Sequence, residues 1–247
     1  MKKAFTLVEV LAGRGTMPTV FSKAGFTLAE VLITLGIIGI VAAMTIPNLI
    51  QKNYEHQTVT KLKETHSIIS QAMRLASEEY GDPSGWEIFG NTEASVIKFM
   101  DNLKPFIKIA TDCGTYDEEG KCMTKGSTYF MDKKNVWNSS YAKSRNYYKF
   151  CLMNGSCLWF RTATKEEYII YNGWTGSFFI DTNGPKPPNA WGWDTFTFTI
   201  HNDAIVPEGC NKKFNYYKTT CANKNSAGNG CACYIHLNNN MNYLHTK

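Results

Sequence analysis

From Val31 to Ile50 the chain has no charged residue, and before Cys113 it has no cysteine. The first absence excludes an ordinary solvated helix there. Twenty uncharged, mostly apolar residues at about 1.5 Å each make a helix of roughly 30 Å, the thickness of a bilayer's hydrocarbon core. The second absence confines all eight cysteines to the stretch Cys113–Cys233. Catalytic signatures are missing as well. There is no Gly-x-Ser-x-Gly elbow and no His-Glu-x-x-His pair, and the five histidines are scattered. The stretch from Gly114 to Gly120-Lys121 has five intervening residues where a P-loop has four, and Cys122 stands where Ser or Thr is required. The chain therefore reads as a protein that is not an enzyme. A strong charge of one sign is also lacking. The formal net charge of +5 gives little basis for a nucleic-acid-binding surface, so no nucleic acid is expected as a partner.

What is present begins just before the apolar run. Lys23-Ala24-Gly25 is followed by Phe26-Thr27-Leu28-Ala29-Glu30-Val31-Leu32, with one carboxylate at the mouth of the uncharged stretch. A secretory signal does not fit, because its apolar region spans about 7–15 residues and its small-residue site follows that region. The arrangement resembles the N-terminus of type IV pilins and type II secretion pseudopilins, over about residues 23–80. The resemblance implies cleavage after Gly25 by a membrane-embedded aspartyl prepilin peptidase and methylation of the new N-terminal Phe26. It also implies that the helix stays in the bacterial inner membrane until an assembly platform extracts it into a fibre of pilin subunits. Glu30 is the residue expected to serve assembly, by pairing with the N-terminal amine of a neighbouring subunit. Energetics agree, since an ionisable group in hydrocarbon is costly unless paired. Within one helix Glu30 also lies one turn from Phe26, on the same face.

These boundaries divide the chain into a leader (1–25), a membrane and assembly helix (26–50), an amphipathic continuation (51–80) and a head (81–247). The leader carries Lys2, Lys3, Arg14 and Lys23 against Glu9, so the remainder is nearly neutral. Those basic residues favour a cytoplasmic N-terminus in a single-pass protein, although Lys52, Lys61 and Lys63 beyond the span weaken the contrast. The head then lies outside the cytoplasm, in the periplasm or beyond, where disulfides persist. Eight cysteines allow 105 pairings, and Cys113 with Cys122 is one near-neighbour closure among them. Within the leader, Ala4–Leu11 nearly repeats Gly25–Leu32. Ala12-Gly13-Arg14-Gly15 then interrupts its apolar run, so Gly25 is the expected cleavage site.

Inside the span, Gly36 and Gly39 are poor helix formers and Pro47 removes one backbone bond, to the carbonyl of Ala43. Either a kink at Pro47 or partial unwinding between Gly36 and Pro47 in a fibre fits this pattern. Beyond Lys52, the residues Val59, Leu62, His66, Ile69, Met73 and Ala76 fall at steps of three and four, one face of a helix. His66 on that face reads as a core histidine. Gly81-Asp82-Pro83 stops the helix. A short helix is predicted over 95–103, then strands over 127–131, 147–152, 157–161, 168–171, 177–181 and 195–200, with Asn154-Gly155 as a hairpin turn. The fold class is α+β: a long N-terminal helix, membrane-spanning in its first half, packed on a head with an antiparallel sheet.

Two further segments carry candidate ligands. The loop from Phe179 to Phe196 places Asp181 and Asn183 two apart with Gly184 after them, and Asp194 near its end. It looks like the calcium loop of major type II pseudopilins, which makes Asp181, Asn183 and Asp194 candidate Ca²⁺ ligands, although no full EF-hand pattern is present. The asparagine-rich tail from Cys210 has Cys210, Cys221, Cys231, Cys233 and His236 at spacings unlike a standard zinc module, so disulfides are expected there and an outward-facing polar tail. The function expected is that of a structural subunit of a type IV pilus or type II secretion pseudopilus. The alternatives are a membrane-anchored extracellular binding domain or adhesin that never polymerises, and a DNA-uptake pilus subunit.

Overall fold

The computed structural model describes residues 26–138, 141–201, 204–210 and 216–246. The leader, with Gly25 and the first motif copy Ala4–Leu11, lies outside the described residues. The first element, α1, is a helix of 53 residues, Leu28–Tyr80, continuous through Pro47. The described residues up to Asn48 form one compact unit, and Leu49 onward forms a second. In the first unit no described residue is buried. Its polar side chains turn back onto their own helix. The Thr34 hydroxyl donates to the carbonyl of Val31 at 3.0 Å, Thr45 to Val41 at 2.9 Å, and the Asn48 amide to Met44 at 3.3 Å. Such local bonds satisfy groups that hydrocarbon would leave unsolvated.

In the second unit α1 buries Thr58, Val59, Leu62, Thr65, Ile69, Ala72, Met73 and Ala76, the face anticipated from the apolar spacing. His66 beside them is half-buried. Its Nε2 lies 2.9 Å from the carbonyl oxygen of Ile205, and its ring stacks on Phe198 at 4.8 Å. Helix α2 (Glu93–Leu103) starts at a capping box in which Thr92 and Ser95 bond each other's backbone N–H.

The strands are β1 (Ile109–Gly114), β2 (Thr128–Tyr129), β3 (Val136–Asn138), β4 (Tyr148–Leu152), β5 (Cys157–Thr162), β6 (Trp174–Asp181), β7 (Thr195–His201) and β8 (Ala204–Pro207). Six of them form one antiparallel sheet in the order β1-β4-β5-β6-β7-β8, and β2 and β3 form a separate ribbon. One sheet face meets α1 and α2 through Phe150, Leu158, Phe160, Phe178, Phe196 and Phe198. Phe99 of α2 stacks on Phe160 at 3.9 Å. Each such side chain fully buried stabilises the head by about 1.5–3 kcal/mol. The other face carries a smaller cluster with Trp159, Trp191, Tyr141 and the Cys151–Cys157 disulfide.

Two expectations are corrected. Residues 168–171, predicted as a strand, belong to helix α3 (Lys165–Ile170) and its end, because Thr164 and Glu167 make a capping box that outweighs the aromatic, β-branched composition. The described part of the tail faces outward only in part. Helix α5 (Cys231–Asn238), which follows the short α4 (Tyr217–Thr220), buries Cys231, Ala232, Cys233 and Ile235, and Met241, Tyr243 and Leu244 are buried beyond it. Disulfides Cys210–Cys233 and Cys221–Cys231 fasten this segment, which leaves no thiol for a zinc set. Cys113–Cys122 is paired as anticipated.

Candidate functional site

The first candidate site is the start of α1. Thr27 is the residue before the helix. Its carbonyl accepts the first helical bond, from Val31 N–H at 3.2 Å, and its hydroxyl accepts from Glu30 N–H at 3.2 Å. The Glu30 carboxylate returns the contact. Its Oε2 accepts from both the N–H and the hydroxyl of Thr27, each at 2.8 Å. This is a Thr-x-x-Glu capping box, a pattern legible in the sequence. A carboxylate at a helix N-terminus also sits favourably in the field of the helix dipole. The Glu30 side chain is thus oriented by Thr27 and exposed.

The second candidate site is the connection between β6 and β7. Asp181 closes β6 and pairs in register with Thr195, the first residue of β7. That pairing, with Thr182 N–H bonded to the Asp194 carbonyl at 2.9 Å, brings both carboxylates to one end of the sheet. Both are deeply buried, at 5% exposure for Asp181 and none for Asp194. Asp194 Oδ2 accepts from Asn189 N–H and Oδ1 from Ala190 N–H, each at 2.8 Å, while Asp181 Oδ1 accepts from Asn183 N–H at 3.1 Å. Burial nevertheless pushes Asp194 up to about 6. Burial, and then the charge of Asp194, push Asp181 well above the usual carboxylate range against the opposing pull of Lys61.

Two amide oxygens in the same loop, Asn183 Oδ1 and Asn189 Oδ1, are buried and accept no hydrogen bond. Buried carboxylates short of positive charge, with idle carbonyl-type oxygens beside them, form an all-oxygen donor set suited to a hard cation such as Ca²⁺. Asp181, Asn183 and Asp194 are therefore brought together as the spacing suggested. Asn189 joins them, and only its orphaned oxygen in the folded chain distinguishes it from the loop's other polar residues. Helix α1 grips the loop twice. Tyr54 hydroxyl donates to the Trp193 carbonyl at 3.4 Å, and Lys61 Nζ donates to the Thr182 carbonyl at 3.3 Å.

A third grouping, Cys113, Asp117 and Cys122, offers no such capacity. Its cysteines are bonded to each other, and Asp117 accepts backbone N–H groups from Lys121, Cys122 and Met123 at 2.8–2.9 Å.

Two family models match the chain. Residues 21–46 match the prokaryotic N-terminal methylation motif, the mark of type IV pilin-like precursors. Residues 48–243 match a family of unknown function (DUF6613). No solved structure matches the chain. The chain thus belongs to this family of unknown function, DUF6613, and is a type IV pilin-like protein headed by the methylation motif.

Proposed function

We propose that the protein is a structural subunit of a bacterial type IV pilus or type II secretion pseudopilus. It is cleaved after Gly25 by prepilin peptidase, methylated at Phe26 and held in the inner membrane with its N-terminus in the cytoplasm. An assembly platform then polymerises it with other subunits through residues 26–50. The observation that carries this reading is a methylation motif on a helix of which no residue from Phe26 to Asn48 is buried, although most are apolar. Lipid covers them before assembly and neighbouring helices cover them afterwards. Glu30 supplies the charge that a neighbour's amine neutralises in that apolar surrounding. Glu30→Leu, co-expressed with a prepilin peptidase and an assembly system, should be cleaved normally and form no fibres. Unimpaired Glu30→Leu fibres would remove the assembly role of Glu30, and a wild type that is cleaved but forms no fibres would favour a membrane-anchored head that never polymerises.

We further propose that Asp181, Asp194, Asn183 and Asn189 hold Ca²⁺ in the head. The ion would neutralise the buried carboxylate pair and fix the connection that Tyr54 and Lys61 tie to α1. Isothermal titration of Ca²⁺ into the metal-free protein tests this, with heat expected from the wild type and none from Asp194→Asn.

A further inference from the structure

The buried carboxylates of the β6–β7 connection have a cation of the chain's own beside them. Lys61 reaches from α1, and its ammonium donates to the Thr182 carbonyl at 3.3 Å, the oxygen between Asp181 and Asn183 in the chain. One helical turn on, Thr65 fixes the β4–β5 hairpin to the same helix. Asn154 Nδ2 donates to Thr65 Oγ1 at 3.1 Å, and Thr65 donates to Ser156 Oγ at 3.0 Å. Gly155 in the hairpin turn has φ +82°, and a Cβ there would stand 3.8 Å from Lys61 Nζ. Cys157, at the start of β5, pairs in register with Asp181, and a Cβ on Gly184 would stand 3.7 Å from the Gly155 carbonyl. Helix, hairpin and loop therefore meet around one half-buried lysine.

Among the groups that act on the pair, Lys61 stands apart. Its charge draws Asp181 down against burial and against the charge of Asp194. Lys133 feels the charge of Asp194, but it is exposed, with Nζ 3.1 Å from the centre of the Trp193 ring. Tyr54, pushed up by burial and by both aspartates, is neutral. Solvent screens a charge such as that of Lys133 far more than one enclosed between helix, hairpin and loop.

We infer that Lys61 sets the calcium affinity of the loop, its ammonium competing with the divalent ion for the same oxygens. Calcium affinity in an oxygen cage follows the count of ligand charges. A fixed positive charge at the cage subtracts from that count as the loss of a carboxylate would. The Thr182 carbonyl is also an oxygen of the kind Ca²⁺ takes, and the ammonium already holds it. The loop is thereby tuned to fill only where calcium is abundant. By reciprocity, calcium loosens the hold of Lys61 on the loop. The inference rests on the calcium reading and adds to it the residue that opposes the ion.

Isothermal titration of Ca²⁺ into the full-length, metal-free protein in detergent tests it, at pH 8 so that protons compete little. Lys61→Met should tighten binding about tenfold or more. Lys61→Gln, which keeps an uncharged donor, should do the same and covers the case in which Lys61→Met fails to fold. Lys61→Arg should restore the wild-type affinity, and Lys133→Met should change it far less than Lys61→Met does. Weaker binding in both uncharged variants would make Lys61 a structural tie and overturn the inference while the calcium reading stands. Equal tightening in Lys133→Met would overturn it as well, by assigning the effect to the general field. No heat from the wild type or from any folded variant would remove the calcium reading itself.

Discussion

One helix, α1, is built in two ways along its length. From Leu28 to Asn48 its apolar residues point in every direction and none is buried; from Thr58 to Ala76 a single stripe is covered by the sheet and α5 while the remaining faces carry charge. Continuous hydrophobicity without a covering layer is stable only where the surroundings are themselves apolar, as in a bilayer or among packed copies of the same helix. Striped hydrophobicity is stable in water. The proposed division of labour follows that boundary: the uncovered half would serve the membrane and assembly, and the striped half holds the head's core.

The contrast can be broken by shaving both halves. Ile69→Ala in the covered stripe should cost about 2–5 kcal/mol in urea unfolding followed by tryptophan fluorescence. Ile38→Ala in the uncovered half should leave the head's transition unchanged and weaken fibres instead. Equal effects on the head would mean that the two halves are not distinct.

A second test sharpens the head's side. In EDTA, Asp181 and Asp194 hold protons in the folded state that they release when unfolded, so their contribution is complete below the ordinary carboxylate range. Asp194's share fades as pH rises through about 6, and Asp181, also held well above the ordinary range by burial and by Asp194, loses its share as pH rises too. The amount at stake for Asp194 is on the order of 3 kcal/mol. His66, kept neutral chiefly by burial, opposes this trend over the same range, so the readout is the difference from Asp194→Asn, which should lack the fading component. Saturating Ca²⁺ should reverse the trend, with the gap in melting temperature between Ca²⁺ and EDTA widening from pH 5 to 7.5. A constant gap would rule out the carboxylates as ligands.

Smaller effects follow. Cys221→Ser/Cys231→Ser should cost about 2–3 kcal/mol in thermal melts, by freeing the segment that α5 fastens to the core. Thr27→Ala removes half of the capping box at the start of α1, worth about 1 kcal/mol. It should raise amide hydrogen exchange at Leu28–Val31 in micelles and leave the head's exchange untouched.

The two halves also differed in how much the sequence disclosed. The motif at Gly25–Leu32, the uncharged run and the stripe from Val59 to Ala76 were readable because each is a local pattern with one physical meaning. The β4–β5 hairpin was readable for the same reason, from Asn154-Gly155. Helix α3 was misread because Tyr168–Tyr171 have strand composition, and the decisive signal was two polar residues, Thr164 and Glu167, three apart. The short strands β1, β3 and β8 have no periodicity of their own and exist by pairing with neighbours. The burial of α5 was hidden because it rests on contacts with β7 and β8, which lie well before it in the sequence. At the candidate metal loop the carboxylates were visible as spacing, whereas Asn189 became a candidate only when folding left its oxygen without a donor.

The central claim is that the uncovered half of α1 is an assembly element released by cleavage. The most direct test is the mature N-terminus, read by intact mass and terminal-peptide analysis of protein co-expressed with a prepilin peptidase. A chain beginning at a methylated Phe26 is the predicted result. An uncut chain, or one cut at Phe5 or beyond the apolar run, would contradict the account.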